Sequence, residues 1–235
     1  MVPVTPPPSR ALAGPARLAR GVAGAAVMTV LAAASHSAAA GGPLPPVALM
    51  AFAAVLAARL FERLGHPRPE RVKSLAEAAA AHLPEGTTAT WFNRGADLPH
   101  YSEDLDIEGS VPQVATELRE AVEAADALVV VTPEYNGTLS SVVKNTIDWA
   151  SRPREAASIH GTRAIVLAAS GAPYGAEWAR KDAVRSLQIA GADVVEETFG
   201  VGSSFEAFAD GRLVDSDADA ALQALIARLG APVAA

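Results

Sequence analysis

The sequence predicts an α/β protein in which helices cover both faces of a parallel sheet. From about residue 72 onward, strand-like and helix-like segments alternate, which is the pattern of βαβ units. Two strand-like runs, Asp126–Thr132 and Thr162–Ser170, are continuously apolar, as expected for strands buried on both faces. In open sheets of this kind, ligands bind beyond the carboxyl ends of the strands. The segments that follow each predicted strand are therefore the candidates for a functional site.

The first half of the regular region predicts two helices around one strand. Arg71–His82 is rich in alanine and is followed by helix-stopping Pro and Gly, which predicts a helix. Thr87–Asn93 is enriched in β-branched and aromatic residues, as strands are. Ser110–Ala125 has apolar residues at helical spacing, with Ser110 as its expected N-cap.

The second half continues the same alternation after the apolar strand at 126–132. Its predicted elements are, in order, the helix Leu139–Ala150, the strand Thr162–Ser170, the helix Glu177–Ala190 ended by Gly191, the strand Asp193–Thr198 and the amphipathic helix Asp217–Leu229.

The N-terminal part has a different composition. Residues 1–26 are predicted to be a disordered tail, because the first twenty are rich in Pro and Arg and contain no acidic residue. Residues 27–235 are assigned to a single domain. The apolar stretch Gly21–Ser35 has two interpretations: a secretory h-region, or a tail that leads into a buried strand at Val27–Ala33. A buried helix is predicted at Val47–Leu64, and neither apolar stretch reaches the ~18–20 residues that span a bilayer, so no membrane partner is expected.

Composition narrows the classes of function. The net charge is −7 and the pI is about 5.2, so there is no basic surface of the kind that binds nucleic acid. The chain has no cysteine, which excludes disulfides, thiolate metal sites and cysteine nucleophiles. Its five histidines are scattered without metal-ligand spacing, so no metal site is expected.

The most informative segment follows the strand at 126–132 and consists of Pro133, Glu134, Tyr135, Asn136 and Gly137. Proline restricts φ and glycine allows a tight turn, so the backbone amides of such a loop keep one orientation. The tyrosine offers a flat ring, and the glutamate and asparagine supply polar atoms. This set suits a planar heteroaromatic ring with amide and carbonyl edges. The alternative is an ordinary turn in which Pro, Asn and Gly are structural.

The run VVVTPEYNGTLSSVVKNTIDWASRP resembles the signature of the NADPH-dependent FMN reductases, a flavodoxin-like family that includes chromate-, quinone- and azo-dye-reducing enzymes. In that family the PEYN loop wraps the isoalloxazine ring of FMN. The KN-x-IDW helix beneath it anchors the loop and joins a subunit interface. The resemblance implies FMN contacts from 133–137, and the residues that match the helix are Lys144, Asn145, Asp148 and Trp149.

Two further segments are similar to the same family. The stretch 170–176 resembles the small-residue loop beside the flavin ring, where small side chains let the backbone approach the ring. This similarity implies FMN contacts from Ser170, Gly171, Tyr174 and Gly175. Ala96–Asp104 more weakly resembles the loop that borders the substrate pocket across the dimer in relatives.

Residues 34–70 are atypical for the family. Relatives place the string GS-x-R-x-x-S-x-N directly after the first strand, where its amides and hydroxyls hold the FMN phosphate. Here Ser35–Gly42 follows the predicted first strand, with hydroxyls, an imidazole and glycines but no arginine. Either the segment is read in a shifted frame or from a misassigned start, or the phosphate contacts are lost. In the second case the alternative function is a non-catalytic flavodoxin-like module that cannot hold FMN.

Together with the alternation of strands and helices, the resemblance implies a three-layer sandwich with five parallel strands in the order 2-1-3-4-5. The chain is expected to pass electrons from NADPH through FMN to a small acceptor: a quinone, an azo compound, a metal oxyanion or free flavin. No side chain is predicted to be catalytic, because the flavin performs the redox chemistry. The resemblance also implies a cytoplasmic homodimer or tetramer with the helix Leu139–Ala150 at its interface.

Overall fold

The computed structural model describes residues 48–50 and 71–230. The described strands form a main sheet and a small hairpin. Those of the main sheet are β1 (Ala48–Met50), β2 (Thr88–Thr90), β3 (Ala127–Tyr135), β4 (Thr138–Leu139), β5 (Arg163–Ala169) and β6 (Asp193–Val201), and those of the hairpin are β7 (Phe208–Ala209) and β8 (Arg212–Leu213). Five strands of the main sheet lie in the order β2-β1-β3-β5-β6, and every neighbouring pair is parallel. β4 pairs antiparallel with the end of β3.

The described helices cover both faces of this sheet. They are α1 (Arg71–Ala81), α2 (Gln113–Glu123), α3 (Ser141–Ala150), α4 (Glu177–Ala190) and α5 (Ser216–Ala227). Along β3, Leu128 and Val130 belong to the apolar cluster formed with α2, α3 and α4. Val129 and Val131 belong to the cluster on the opposite face, formed with α1 and α5. This alternation explains why the strand reads as an uninterrupted apolar run.

Most predicted elements after residue 70 are confirmed, with shifted ends. α4 and its C-terminal Gly191 lie where the sequence placed them. The predicted strand at 87–93 is only three residues long. Ser110 is not a helix cap: α2 begins at Gln113 after Pro112, and no side chain caps it. Proline restricts φ and disfavours helical geometry in the residue before it, so the helix cannot reach back to Ser110.

Of the predictions for the N-terminal part, one is contradicted by the structure and the others fall on residues that the structure does not describe. The helix predicted over 47–64 is wrong at its start, because Ala48–Met50 forms β1 between β2 and β3. The tail at 1–26, the strand predicted at Val27–Ala33 and the segment Ser35–Gly42 all lie outside the described residues. Within the described ranges, no helix is long and apolar enough to cross a membrane.

Candidate active site

β3 continues beyond its predicted end and forms a hairpin with β4. The strand extends to Tyr135, and the chain reverses at Asn136 and Gly137, whose φ values are 51° and 75°. Two central residues with positive φ fit a type I′ turn, for which Asn-Gly is a preferred sequence. The prediction of a loop over 133–136 is therefore wrong for its first three residues. They extend the strand past the body of the sheet, and only the turn at its tip is irregular.

Glu134 caps the N-terminus of α4. The residue before this helix, Ala176, has a left-handed conformation (φ 53°) and no side chain that could cap it. Instead, Glu134 Oε2 accepts a hydrogen bond of 3.1 Å from the backbone N–H of Ala179, in the first turn. A carboxylate here satisfies a free amide and complements the positive end of the helix dipole. Thr138 Oγ1 donates a second hydrogen bond, of 2.6 Å, to Asp182 Oδ2. The β3–β4 hairpin is thus fastened to α4 at two points.

The small-residue loop after β5 is held closed by its own hydrogen bonds. Ser170 Oγ accepts a hydrogen bond of 3.1 Å from the N–H of Ala172. The carbonyl of Ser170 accepts from both the N–H and the hydroxyl of Ser204, at 3.0 and 2.7 Å. Ser203 N–H donates to the carbonyl of Ala172 at 3.0 Å. The loop is therefore tied to the segment that follows β6.

Glycines allow this loop to lie directly on the end of β6. A Cβ atom placed on Gly200 would overlap the carbonyl oxygen of Gly175, and one on Gly202 would also overlap backbone of the loop. Arg180 reinforces the contact, because its Nε donates to the carbonyl of Gly175 at 2.9 Å and its Nη1 to Thr198 Oγ1 at 2.6 Å. Burial lowers the pKa of this guanidinium from its ordinary value. The loop and the strand end therefore form one closely packed unit.

Three large aromatic side chains remain exposed beside the hairpin and the loop. Tyr135 is 51% exposed, Tyr174 67% and Trp178 56%. The rings of Tyr174 and Trp178 lie 6.3 Å apart at 46°. Trp178 also lies beside the hairpin turn, since a Cβ on Gly137 would be 3.8 Å from its Cε3. Exposed aromatic rings at one site are a common feature of surfaces that bind flat ligands.

Sequence reasoning missed Trp178. A signal was present, because Ala179, Ala183 and Leu187 form the buried stripe of α4 at helical spacing, and position 178 lies off that stripe. A tryptophan on the outer face of a surface helix, beside a candidate binding loop, indicates contact with a ligand or partner.

The structure brings the two predicted cofactor segments to the same helix terminus. The β3–β4 hairpin reaches α4 through Glu134 and through the turn at Asn136 and Gly137. Tyr135 lies at the exposed end of β3, and Pro133 is buried two residues earlier in the strand. Tyr174 reaches α4 from the β5 side, and Gly175 is buried against Gly200. At the far end of this loop, Gly171 lies against Phe205, whose ring stacks with the guanidinium of Arg71 at 3.6 Å.

The KN-x-IDW helix, α3, anchors a different loop from the one the resemblance implied. Asn145 Oδ1 accepts from the N–H of Tyr101 at 2.8 Å, and Asn145 Nδ2 donates to the carbonyls of Pro99 and Leu98 at 3.0 and 3.3 Å. Trp149 Nε1 donates to the same Pro99 carbonyl at 2.8 Å. These side chains point to the segment at 98–101, so they do not hold the segment at 133–136.

The site offers surfaces for a flat ring and none of the usual features of a metal centre. Within residues 48–50 and 71–230, no group of three or more His, Asp or Glu is placed to hold a metal ion. The Tyr135 ring and the Asn136–Gly137 turn provide an aromatic face with adjacent backbone. The loop of Ser170 to Tyr174 provides backbone with small side chains. These surfaces fit an isoalloxazine ring, which needs stacking partners and hydrogen bonds at its polar edge.

The layered parallel sheet, with candidate loops at the carboxyl ends of β3 and β5, defines a flavodoxin-like α/β protein. Solved structures share this fold. The flavoenzyme NAD(P)H:(acceptor) oxidoreductase FerB from Paracoccus denitrificans has a TM-score of 0.59 and 27% identity, covering 67% of this chain and 86% of that one. The NAD(P)H:quinone oxidoreductase from Methanothermobacter marburgensis, at 18% identity, has a TM-score of 0.52 and covers 72% of this chain and 94% of that one.

Residues 64–206 match the NADPH-dependent FMN reductase family, and the chain belongs to it. It is 38% identical over 128 residues to an NAD(P)H-dependent FMN reductase of Pseudomonas aeruginosa, a match that covers 54% of this chain and 68% of the relative. It is 42% identical over 81 residues to a 2-hydroxy-1,4-benzoquinone reductase of a Burkholderia species, covering 34% of this chain and 43% of that enzyme. The protein is an FMN-dependent NAD(P)H oxidoreductase. The predicted family resemblance is confirmed.

Proposed function

We propose that the protein reduces quinones with NADPH, using FMN held between the β3–β4 hairpin and the loop at 170–175. The net reaction converts NADPH, a proton and a quinone into NADP⁺ and a hydroquinone. Bound FMN supplies the two-electron chemistry, and the chain positions its ring and excludes water from one face. The observation that carries the proposal is the convergence of both family-matched segments at α4, with Tyr135 and Tyr174 exposed there.

The quinone is favoured among the acceptors that the sequence left open. Several relatives are named for quinones, among them the Burkholderia enzyme, a Solanum tuberosum NAD(P)H:quinone oxidoreductase and the Escherichia coli quinone reductase. Exposed aromatic rings also suit a flat acceptor. Nothing observed favours the alternative of a non-catalytic module.

For the phosphate end of FMN, the sequence points to a segment later than Ser35–Gly42. The family match begins at residue 64, and Gly65 and Arg68 have the spacing of the glycine and arginine in GS-x-R. Both segments lie outside the described residues. Arg71, which continues this stretch and opens α1, stacks on Phe205 beside the 170–175 loop. We propose Gly65 and Arg68 as phosphate contacts on their spacing in the sequence alone.

The proposal includes the flavodoxin-like strand order 2-1-3-4-5, a cytoplasmic location and a homodimer or tetramer. Parallel pairing on both sides of β3 supports the strand order. The interface proposed on α3 has less apolar surface than expected, because Val143, Ile147 and Trp149 are buried within the subunit. Lys144 is paired with Asp148 of the same helix at 2.5 Å. Light scattering on the purified protein would measure its oligomeric state.

Titration of the FMN-free protein with FMN, followed by flavin fluorescence, tests the assigned site. A packed aromatic contact is worth ~1 kcal/mol, so Tyr135→Ala should weaken FMN binding about fivefold. Tyr174→Ala should weaken it less, because the loop is expected to contribute mainly backbone. Ile189→Ala is the matched control, since Ile189 is also exposed (67%) but lies at the other end of α4. Unchanged affinity in a folded Tyr135→Ala protein, checked by circular dichroism, would reject the assignment.

A further inference from the structure

We propose that Trp178 selects the electron acceptor, by stacking its indole on the ring of a planar, electron-poor quinone and giving no such contact to an anionic metal complex. This inference rests on the proposed function and adds a residue that determines specificity. Tryptophan has the most electron-rich ring among the side chains, and a quinone ring is electron-poor, so their faces attract each other.

The indole is presented to the surface beside the candidate flavin site. Trp178 is the second residue of α4, off the buried stripe of that helix, and more than half of it is exposed. Tyr174, from the loop after β5, lies 6.3 Å from it at an angle of 46°. The turn at Gly137, from the β3–β4 hairpin, lies against the edge of the indole. The indole thus stands between the two segments assigned to FMN, where an acceptor must approach.

The backbone that carries Trp178 is held firmly, which a stacking residue requires. The next residue, Ala179, donates its N–H to Glu134 at 3.1 Å. One turn further along, Asp182 accepts from Thr138 at 2.6 Å. Both partners lie in the hairpin, so the helix turn and the hairpin keep a fixed relation and the indole needs little reordering when a ring stacks on it.

The charges of α4 do not offer an anion a ready partner. Lys181 is paired with Glu177 at 2.5 Å, and Arg185 is paired with Asp182 at 2.8 Å. The guanidinium of Arg180 donates to the carbonyl of Gly175 and to Thr198. The charges of Lys181 and Arg185 are already balanced by carboxylates of the same helix and are screened by water, since both side chains are 71% exposed, whereas a neutral quinone needs only the exposed aromatic face.

Steady-state kinetics with two acceptors tests the inference. For Trp178→Ala, the KM for 1,4-benzoquinone should rise about fivefold, as expected from the loss of one stacked ring. Trp178→Phe should keep most of the affinity. The rate with ferricyanide, an anionic acceptor that does not stack, should not change, nor should the affinity for FMN. Ile189→Ala serves as the control for removing an exposed apolar side chain from the same helix.

Two results would overturn the inference: an unchanged KM for benzoquinone, or an equal loss with both acceptors. A third is a change of oligomeric state in Trp178→Ala by light scattering, which would assign the indole to a second copy of the chain. Saturable quenching of tryptophan fluorescence by benzoquinone, present in the wild type and lost in Trp178→Phe, is a readout independent of turnover. If the wild type binds no FMN, the proposed function fails, and this quenching measurement still decides the role of Trp178.

Discussion

Substitutions of Glu134 can distinguish whether this residue stabilises α4 or binds the cofactor. Removing the side chain in Glu134→Ala takes away the acceptor of the Ala179 N–H and a negative charge at the helix terminus. A lost cap costs ~1 kcal/mol and the charge ~0.5 kcal/mol, so we expect a free energy of unfolding lower by about 1.5 kcal/mol. Glu134→Gln keeps an acceptor and should lose only ~0.5 kcal/mol. For a domain of this size, the larger change lowers Tm by about 3–6 °C.

Urea unfolding of the FMN-free protein, followed by circular dichroism, measures these differences. Glu177→Ala is the matched control, because Glu177 lies in the same first turn, is exposed and pairs with Lys181. Its removal should lower the free energy of unfolding by less than Glu134→Ala does, because its pair with Lys181 is exposed to solvent. The reasoning fails if Glu134→Ala is no more destabilising than Glu177→Ala. If instead Glu134→Gln weakens FMN binding strongly at unchanged stability, Glu134 acts on the flavin and not as a cap.

Two further substitutions test the packing around the site. Asn145→Ala removes three hydrogen bonds to the 98–101 loop and should lower the free energy of unfolding by ~2–3 kcal/mol. In the same urea titration, Lys144→Ala should cause almost no change, because Lys144 is exposed. Gly200→Ala places a methyl group onto the carbonyl of Gly175 and should cost ~2–3 kcal/mol. Gly230→Ala, which has open space around it, should cost close to nothing, and equal Tm values for the two glycine variants would contradict the close packing.

The sequence predicted the layered architecture because burial on both faces leaves a clear pattern. The continuous apolar run at 126–132 became β3, with alternate residues in opposite clusters. The helix predicted at Glu177–Ala190 and ended by Gly191 became α4 with the same bounds. Such patterns are local, so they can be read along the chain.

The errors arose where a residue type has more than one use. Pro133 was taken as the end of a strand, but β3 continues through it, and it pairs with Ala169. Asn136 and Gly137 were placed in an irregular loop, whereas they form the turn of a hairpin. The role of Asn145 could not be predicted, because its partners lie 44 to 47 residues away in the chain. Contacts of this kind depend on the completed fold.

The glycine contact between the 170–175 loop and the end of β6 has a consequence for protein engineering. Positions 175, 200 and 202 leave no space for a side chain, so most variants at these positions in a mutant library would be destabilised. New acceptor preferences must then come from the rim, where Tyr174 and Trp178 are exposed and free to vary. The backbone of the 170–175 loop and of the end of β6 is therefore fixed, and the chemistry of the site can change only through the exposed side chains around it.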